Sequence, residues 1–209
     1  MGLLVTALAA PAPVRANTPE DRAAAKEHLT QAQDLKKQGQ LAEALGHYEE
    51  SQRLDPKLTT AIDLADCAEQ AGKLVEAQGY WAAARDLAKH DERPQSRAKA
   101  EQRLAGVEQR LPHLTLQLAA DAPAGVQVLR DDVAVEPATL GTAVALNPGD
   151  HAVVVKAAGH DDAKYAVKLA ESDNQTLPIA PGPATIVAAP PPPPSPKVVA
   201  PPPALPHDS

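Results

Sequence analysis

The same residue pattern occurs twice in the chain, with the two copies about 33 residues apart. Residues 38–48 read QGQLAEALGHY and residues 71–81 read AGKLVEAQGYW, so Gly, Leu, Glu, Ala and Gly recur in register. Apolar residues at helical spacing precede each copy, and they are Ala25, Leu29, Ala32 and Leu35 before the first and Leu58, Ile62, Ala65 and Ala68 before the second. Each copy is therefore predicted to fold as a helix, a tight turn and a second helix.

The small and aromatic residues of the repeat indicate how these helices pack. Gly39 and Gly72 lie where the first helix of each pair must stop, because a left-handed backbone costs glycine least. The chain has no Phe, one Trp and three Tyr, so its core is expected to consist mainly of Ala, Leu and Val. We expect the small residues Ala44 and Ala77 to let the paired helices approach closely. The aromatic residues Tyr48 and Trp81 are expected to fill the remaining space.

These residues resemble the tetratricopeptide repeat, whose Gly, Ala, aromatic and closing Pro match the first copy. The matching positions are Ala32, Leu35, Gly39, Ala44, Tyr48, Ser51 and Pro56. We expect Asp55 to cap the following helix and Pro56 to occupy its first turn, whereas the closing proline of the second copy is delayed to Pro94. An apolar stripe then predicts a fifth, capping helix over residues 95–111. The resemblance covers residues 20–111.

From Leu114 the spacing of apolar residues changes from 3.6 to about 2, which predicts short strands. Turn residues separate these strands and indicate hairpins, at Asp131-Asp132, Asn147-Pro148-Gly149-Asp150 and Ser172-Asp173-Asn174. About 65 residues of this kind predict a small sandwich-like domain near the lower size limit of a self-sufficient core.

Residues 148–155, which read PGDHAVVV, and the later Ala158-Gly159-His160 resemble the PEGA module, a surface β domain of bacterial envelope proteins. In that family a Pro-Gly turn precedes a His-led strand that ends at Gly followed by an aromatic residue. Here His160 stands at the aromatic position, and Asp131-Asp132 stands where an Asp-Gly turn is usual. The resemblance spans residues 114–180 and implies contact with envelope material, either cell-wall glycan or another protein.

The two ends of the chain differ in composition from the middle. Residues 1–16 read as an export signal, since a short apolar run is followed by small residues near Ala16, although no basic residue precedes Leu3. The alternative is an Ala/Pro-rich tail on a cytoplasmic protein. Residues 181–209 hold 12 of the 22 prolines, which predicts a disordered, polyproline II segment. This tail is either a spacer or a docking peptide with Lys197 as its flanking charge.

Several classes of function are disfavoured by the composition. A net charge of −7, from 20 basic and 27 acidic residues, argues against nucleic acid as a partner. The single cysteine, Cys67, excludes an intrachain disulfide and a cysteine-built zinc site. No catalytic triad, phosphate loop or distant partner for His160-Asp161-Asp162 is found, so no enzyme activity, cofactor or metal is predicted. No apolar stretch reaches the roughly 20 residues of a membrane-spanning helix.

The tetratricopeptide resemblance implies a concave groove lined by the first helix of each pair. The positions carried over from the family are Lys26, Leu29, Gln33, Lys36, Lys37, Thr59, Ile62, Asp66, Glu69 and Gln70. One half of this set is basic and the other acidic, which favours a peptide of mixed charge. Capture of a C-terminal carboxylate, known in one subtype of the family, is disfavoured because Asp63 would repel it.

The chain is thus predicted to be an α+β protein: a signal at 1–16, tetratricopeptide-like α-hairpins at 17–112, a β-sandwich-like PEGA module at 113–180 and a tail at 181–209. The function expected is that of a non-enzymatic adaptor, exported to the periplasm or cell envelope, that binds a partner protein through the groove. A structural periplasmic spacer, or a glycan-contacting envelope protein without a specific protein ligand, is the alternative. A cell-wall hydrolase is a third class, for which the β module offers no visible pair of catalytic carboxylates.

Overall fold

The computed structural model describes residues 18–185, which form five helices followed by seven strands in two sheets. The predicted α+β organisation is confirmed. The predicted signal at residues 1–16 and residues 186–209 of the predicted tail lie outside the described residues. Residues 181–185 are part of the folded module, because Ala184 pairs with His160 and Thr185 N–H donates to Gly159 O at 2.8 Å.

The five helices are joined by short turns, so that neighbours in sequence are neighbours in space. Their bounds are α1 Pro19–Lys37, α2 Leu41–Leu54, α3 Leu58–Gln70, α4 Leu74–His90 and α5 Pro94–Arg110. Thr18 caps α1 in a reciprocal arrangement with Asp21. As predicted, α1 and α3 end before Gly39 and Gly72, whose φ angles are +78° and +70°. The fifth helix begins one residue before the predicted start and ends one residue before the predicted end.

Alanine sets the distance between the packed helices. Ala32, Ala44, Ala65, Ala77 and Ala84 are fully buried. Tyr48 and Trp81 fill the space between the helices, each with about 1% of its surface exposed. The predicted roles of these small and aromatic residues are confirmed, and α5 covers the second half of the core through Ala100 and Val107.

The expectation for Asp55 and Pro56 was wrong. Helix α3 begins two residues after Pro56, with Lys57 as its N-cap residue and no side-chain cap. Asp55 instead ends α2, where its buried carboxylate lies 2.6 Å from Lys57 Nζ. The acidic side chain therefore holds the link between α2 and α3 and does not cap a helix.

The β part consists of two sheets that share one apolar core. The strands are β1 His113–Leu118, β2 Gln127–Arg130, β3 Val133–Ala134, β4 Ala143–Ala145, β5 Gly149–Lys156, β6 Ala163–Leu169 and β7 Asn174–Ile179. One sheet has the order β4-β1-β7, in which β1 and β7 are parallel, and the other has the order β3-β2-β5-β6. Alternate residues such as Leu114, Leu116, Val153 and Val155 point into the shared core.

Only one of the three predicted hairpin turns closes a hairpin. Asp131 and Asp132 adopt positive φ angles and connect the antiparallel strands β2 and β3. The segments 147–150 and 172–174 instead carry the chain from one sheet to the other, because β4 and β7 belong to a different sheet from β5 and β6. Turn residues mark a reversal of the chain but do not fix which strands pair across it.

The buried Leu74 gives a first test of the helical core. Leu74→Ala removes a side chain with no exposed surface, so we expect a loss of about 2–5 kcal/mol in the free energy of unfolding. Val75→Ala is the matched control, because the neighbouring side chain is 38% exposed and should change that free energy by less than about 0.5 kcal/mol. Urea titration followed by circular dichroism and by the fluorescence of Trp81 measures both variants. Equal losses in the two variants would contradict this packing.

Candidate functional site

The faces of α1, α3 and α5 form one continuous surface, which we call the groove. The carried-over residues of α1 and α3 lie on it, and α5 contributes a third wall that the sequence analysis did not assign to it. Lys36 of α1 contacts Asp66 of α3 at 2.5 Å, and Arg103 of α5 contacts Glu69 of α3 at 2.8 Å. The three helices are therefore close enough for their side chains to meet across the groove.

Charges of alternating sign run across one end of the groove, which we call the paired end. The Asp66 carboxylate accepts hydrogen bonds from Lys36 at 2.5 Å and from Gln70 at 2.6 Å, and it lies 3.5 Å from Arg103. Beyond Glu69 the pairing continues through Arg110 to Glu171 of the β part. The predicted residues Lys36, Asp66, Glu69 and Gln70 thus lie in one network, in which Lys36 and Gln70 contact Asp66, and Arg103 links Asp66 to Glu69.

Glu69 is the most connected residue of this network. Its side chain is 11% exposed and accepts hydrogen bonds from Trp81 Nε1 at 3.2 Å, from Arg103 at 2.8 Å and from Arg110 at 2.6 Å. The guanidinium of Arg103 also lies over the Trp81 ring, 5.5 Å from the ring centre. One carboxylate of α3 therefore links α4 and α5.

Asp63 occupies the middle of the groove and differs from its acidic neighbours. It forms no hydrogen bond or ion pair with the rest of residues 18–185. Burial raises the pKa of Asp63; Lys36 and Lys99 oppose the shift and Asp66 adds to it. Since Lys36 lies on α1 and Lys99 on α5, the Asp63 carboxylate faces the space between those helices.

At the other end of the groove, which we call the open end, the helices are separated by two clefts. Lys26 and Leu29 line the cleft between α1 and α3. Thr59 and Ile62 line the cleft between α3 and α5, which has a volume of about 390 Å³. The structure thus divides the predicted site into four residues at the open end and four at the paired end.

Several cations at the open end have no acidic partner. Within residues 18–185, Lys26, Arg93 and Lys99 make no ion pair, and all three are exposed. Lys57 is shared between both clefts and pairs with Asp55. Neither α3 nor α5 has a side chain that caps its first N–H groups. The clefts also contain Asp55 and Asp91, so this end combines cations and hydrogen-bond donors with two carboxylates, of which Asp55 is paired with Lys57.

Two residues of the predicted site belong to neither end of the groove. Lys37 pairs with Asp34 of its own helix at 3.0 Å, and Gln33 is exposed. The sequence analysis missed Arg93, Lys99, Arg103 and Arg110, which belong to the groove wall formed by α5. The seven-residue spacing of Arg103 and Arg110 places both on one helical face, and this was the signal that could have found them.

Other polar pairs form no recognisable reactive site. His28 and His47 are half-buried and their Nδ1 atoms lie 3.0 Å apart, so one ring donates a hydrogen bond to the other. Burial raises the pKa of the Cys67 thiol, and Cys67 packs inside the helical core. Across residues 18–185, no group of three or more His, Cys, Asp or Glu side chains is arranged to hold a metal ion.

The helical and β parts are joined by side chains from both. The Asn147 side chain accepts from Val75 N–H at 2.9 Å and donates to Glu76 at 2.7 Å, at the start of α4. His151 Nε2 lies 2.8 Å from Asn147 O and its Nδ1 lies 2.7 Å from Asp131. The His151 ring therefore bridges the Asn147 backbone and the turn at Asp131, and it helps to fix the loop that carries Asn147.

No protein-family model matches the chain, and no curated protein matches it. The tetratricopeptide and PEGA resemblances therefore remain predictions that rest on the motifs. No helix within residues 18–185 combines the length and the apolar character needed to cross a membrane.

Removal of the Glu69 carboxylate should destabilise the helical part. Glu69→Ala removes the acceptor of Trp81 and one acceptor each of Arg103 and Arg110, which keep their contacts to Asp66 and Glu171. Hydrogen bonds to charged groups are worth about 1.5–3 kcal/mol. Because both guanidiniums remain partly exposed, we expect a loss of about 2 kcal/mol in the free energy of unfolding. Asp34→Asn, which breaks an exposed pair on α1, should cost less than about 0.5 kcal/mol. Urea titration by circular dichroism would disprove the role of Glu69 if the two losses were equal.

Asp131 should make the β part sensitive to acid. Burial raises the pKa of Asp131, but hydrogen bonds from His151 and from Ala152 N–H outweigh it, so this pKa lies below its ordinary value. The stabilisation is therefore complete above the unfolded value of about 3.9 and is lost as the pH falls through the lower folded value. Asp131→Asn should lower the free energy of unfolding at pH 6, and this difference should shrink as the solution is acidified.

Asp132→Asn is the matched control for this experiment, since Asp132 also has a positive φ angle and makes no hydrogen bond or ion pair within residues 18–185. Thermal unfolding by circular dichroism across the acid range compares the three proteins. If the unfolding temperatures of the original chain and of Asp131→Asn changed in parallel with pH, the Asp131 carboxylate would not contribute to the sensitivity to acid.

Proposed function

We propose that the protein is a non-enzymatic adaptor that is exported to the cell envelope and binds a protein partner through the open end of the groove. The observation that carries the proposal is the contrast between the two ends. At the paired end the charges satisfy one another, whereas the open end has two clefts and three cations without an acidic partner among the described residues. Cell-wall glycan, which the PEGA resemblance implies, is a second ligand class, for the β part.

The geometry supports binding better than catalysis. The clefts at the open end are shallow surfaces between helices, lined by Lys57, Thr59, Ile62 and Arg93. A hydrolase would need a nucleophile or a carboxylate pair placed beside a substrate pocket. The groove instead offers exposed cations beside the apolar side chain of Ile62, which together can contact a peptide.

The structural spacer is the main alternative, and it differs from the adaptor in which part of the chain matters. A spacer acts through its length, so its role would depend on residues 186–209. An adaptor acts through the groove. The predicted signal at residues 1–16 supports a periplasmic or envelope location for the partner in either case.

A capture experiment from the envelope fraction tests the adaptor proposal. The chain serves as bait, together with a variant that lacks residues 186–209 and the variant Thr59→Arg. Thr59 is exposed at the first turn of α3 and lines the larger cleft, so an arginine there should fill the cleft without disturbing the core. We expect the partner to be kept by the deletion variant and reduced about tenfold or more by Thr59→Arg.

Ala105→Arg is the matched control, because Ala105 is exposed on α5 and adds the same side chain to a groove-forming helix away from the clefts. This variant should capture the partner as well as the original chain does. Reversal of Lys36 or Asp66 is a less clean probe, since each holds the other in place. Capture that Thr59→Arg leaves unchanged would refute the groove, and capture lost with residues 186–209 would favour a tail-based role.

A further inference from the structure

We infer that the open end of the groove binds an acidic segment of its partner, with Lys26, Arg93 and Lys99 as the cations that pair with its carboxylates. This inference rests on the proposed adaptor function and names the chemistry of the partner at the same site. It differs from the expectation of a mixed-charge ligand, which took the groove as half basic and half acidic.

The charges along the groove differ in whether they are already paired within the chain. The acidic half of the predicted set, Asp66 and Glu69, is already paired with Lys36, Arg103 and Arg110. Those carboxylates cannot attract a basic ligand without breaking short ion pairs. What remains for a partner at the open end is the set of exposed cations named above.

Three carboxylates oppose an acidic ligand at this end. Asp91 lines the larger cleft together with Arg93, and Asp55 lines the smaller cleft, where it pairs with Lys57. The third is Asp63, whose surroundings limit its effect. Burial raises its pKa, while Lys36 and Lys99 lie near enough to oppose that shift. A carboxylate flanked by two ammonium groups presents little net negative potential to an approaching ligand. It does, however, disfavour an acidic group placed directly above it, so the ligand carboxylates are expected nearer to the starts of α3 and α5.

The shape of the open end fits a peptide side chain or a short extended segment. The larger cleft is bordered by Lys57 and Thr59 at the start of α3 and by Asp91, Arg93 and Ser96 at the start of α5, so its cations outnumber its one carboxylate by two to one. The hydroxyl groups and the uncapped N–H groups there add donors for carboxylate oxygens. Ile62 supplies an apolar contact beside them. Donors on two walls with an apolar floor suit a segment in which Glu or Asp alternates with small apolar residues.

The overall charge of the chain makes the inference testable. With a net charge of −7, the protein as a whole repels an acidic peptide. Binding of such a peptide would therefore require a local cluster of cations. Binding of a basic peptide of the same length would follow the overall charge and would not need the groove.

The test uses the full chain and a fluorescent peptide of alternating glutamate and alanine, blocked at both ends, with a lysine and alanine peptide for comparison. Fluorescence anisotropy measures binding over a range of salt concentrations. We expect the acidic peptide to bind, to bind more weakly as salt rises, and to lose about tenfold in affinity in Lys26→Glu/Lys99→Glu. The matched control is Lys164→Glu/Lys168→Glu, which changes the total charge by the same amount on exposed positions of β6.

Each other outcome overturns the inference. It fails if the acidic peptide does not bind, if both double variants weaken binding equally, or if the lysine peptide or a single-stranded oligonucleotide binds more tightly. Its failure is distinguishable from failure of the adaptor proposal. If the partner remains sensitive to Thr59→Arg while the acidic peptide does not bind, the groove stands and only the ligand chemistry is wrong.

Discussion

The carboxylate of Glu69 is the contact on which the arrangement of the molecule most depends. It lies at the end of α3 and accepts hydrogen bonds from Trp81 of α4 and from Arg103 and Arg110 of α5. Arg110 then reaches Glu171 in the segment between β6 and β7. A nearly buried carboxylate is costly unless its acceptor sites are filled. Three helices and the β part must therefore keep their relative positions for Glu69 to remain satisfied.

This constraint explains why the two ends of the groove differ. At the paired end, the charges of α1, α3 and α5 hold the helices together and leave little for a ligand to bind. At the open end, the same helices begin, their first N–H groups lack side-chain caps, and the link at Asp55 keeps α2 and α3 close without covering the clefts. One helical stack thus combines an end whose charges are paired with an end that keeps two clefts open.

The sequence was sufficient where structure is set by near neighbours in the chain. Gly39 and Gly72 end helices because their positive φ angles are a local requirement, and Tyr48 and Trp81 follow them at a fixed spacing. The sequence was insufficient where contacts between distant residues decide the structure. Nothing local shows that segments 147–150 and 172–174 change sheets, because strand pairing is set by the shared core. The α5 wall was missed for the same reason, since Arg103 and Arg110 acquire their role only through Glu69.

The alanine-rich core connects these features. Because Ala32, Ala44, Ala65 and Ala77 are fully buried, the paired helices can approach closely, and the groove-facing side chains of α1, α3 and α5 can span the distance between helices. Larger core residues would separate the helices beyond the reach of Lys36 for Asp66 and of Arg103 for Glu69. The absence of phenylalanine is thus part of the groove geometry, because a thin core allows the ion pairs between α1, α3 and α5 to form.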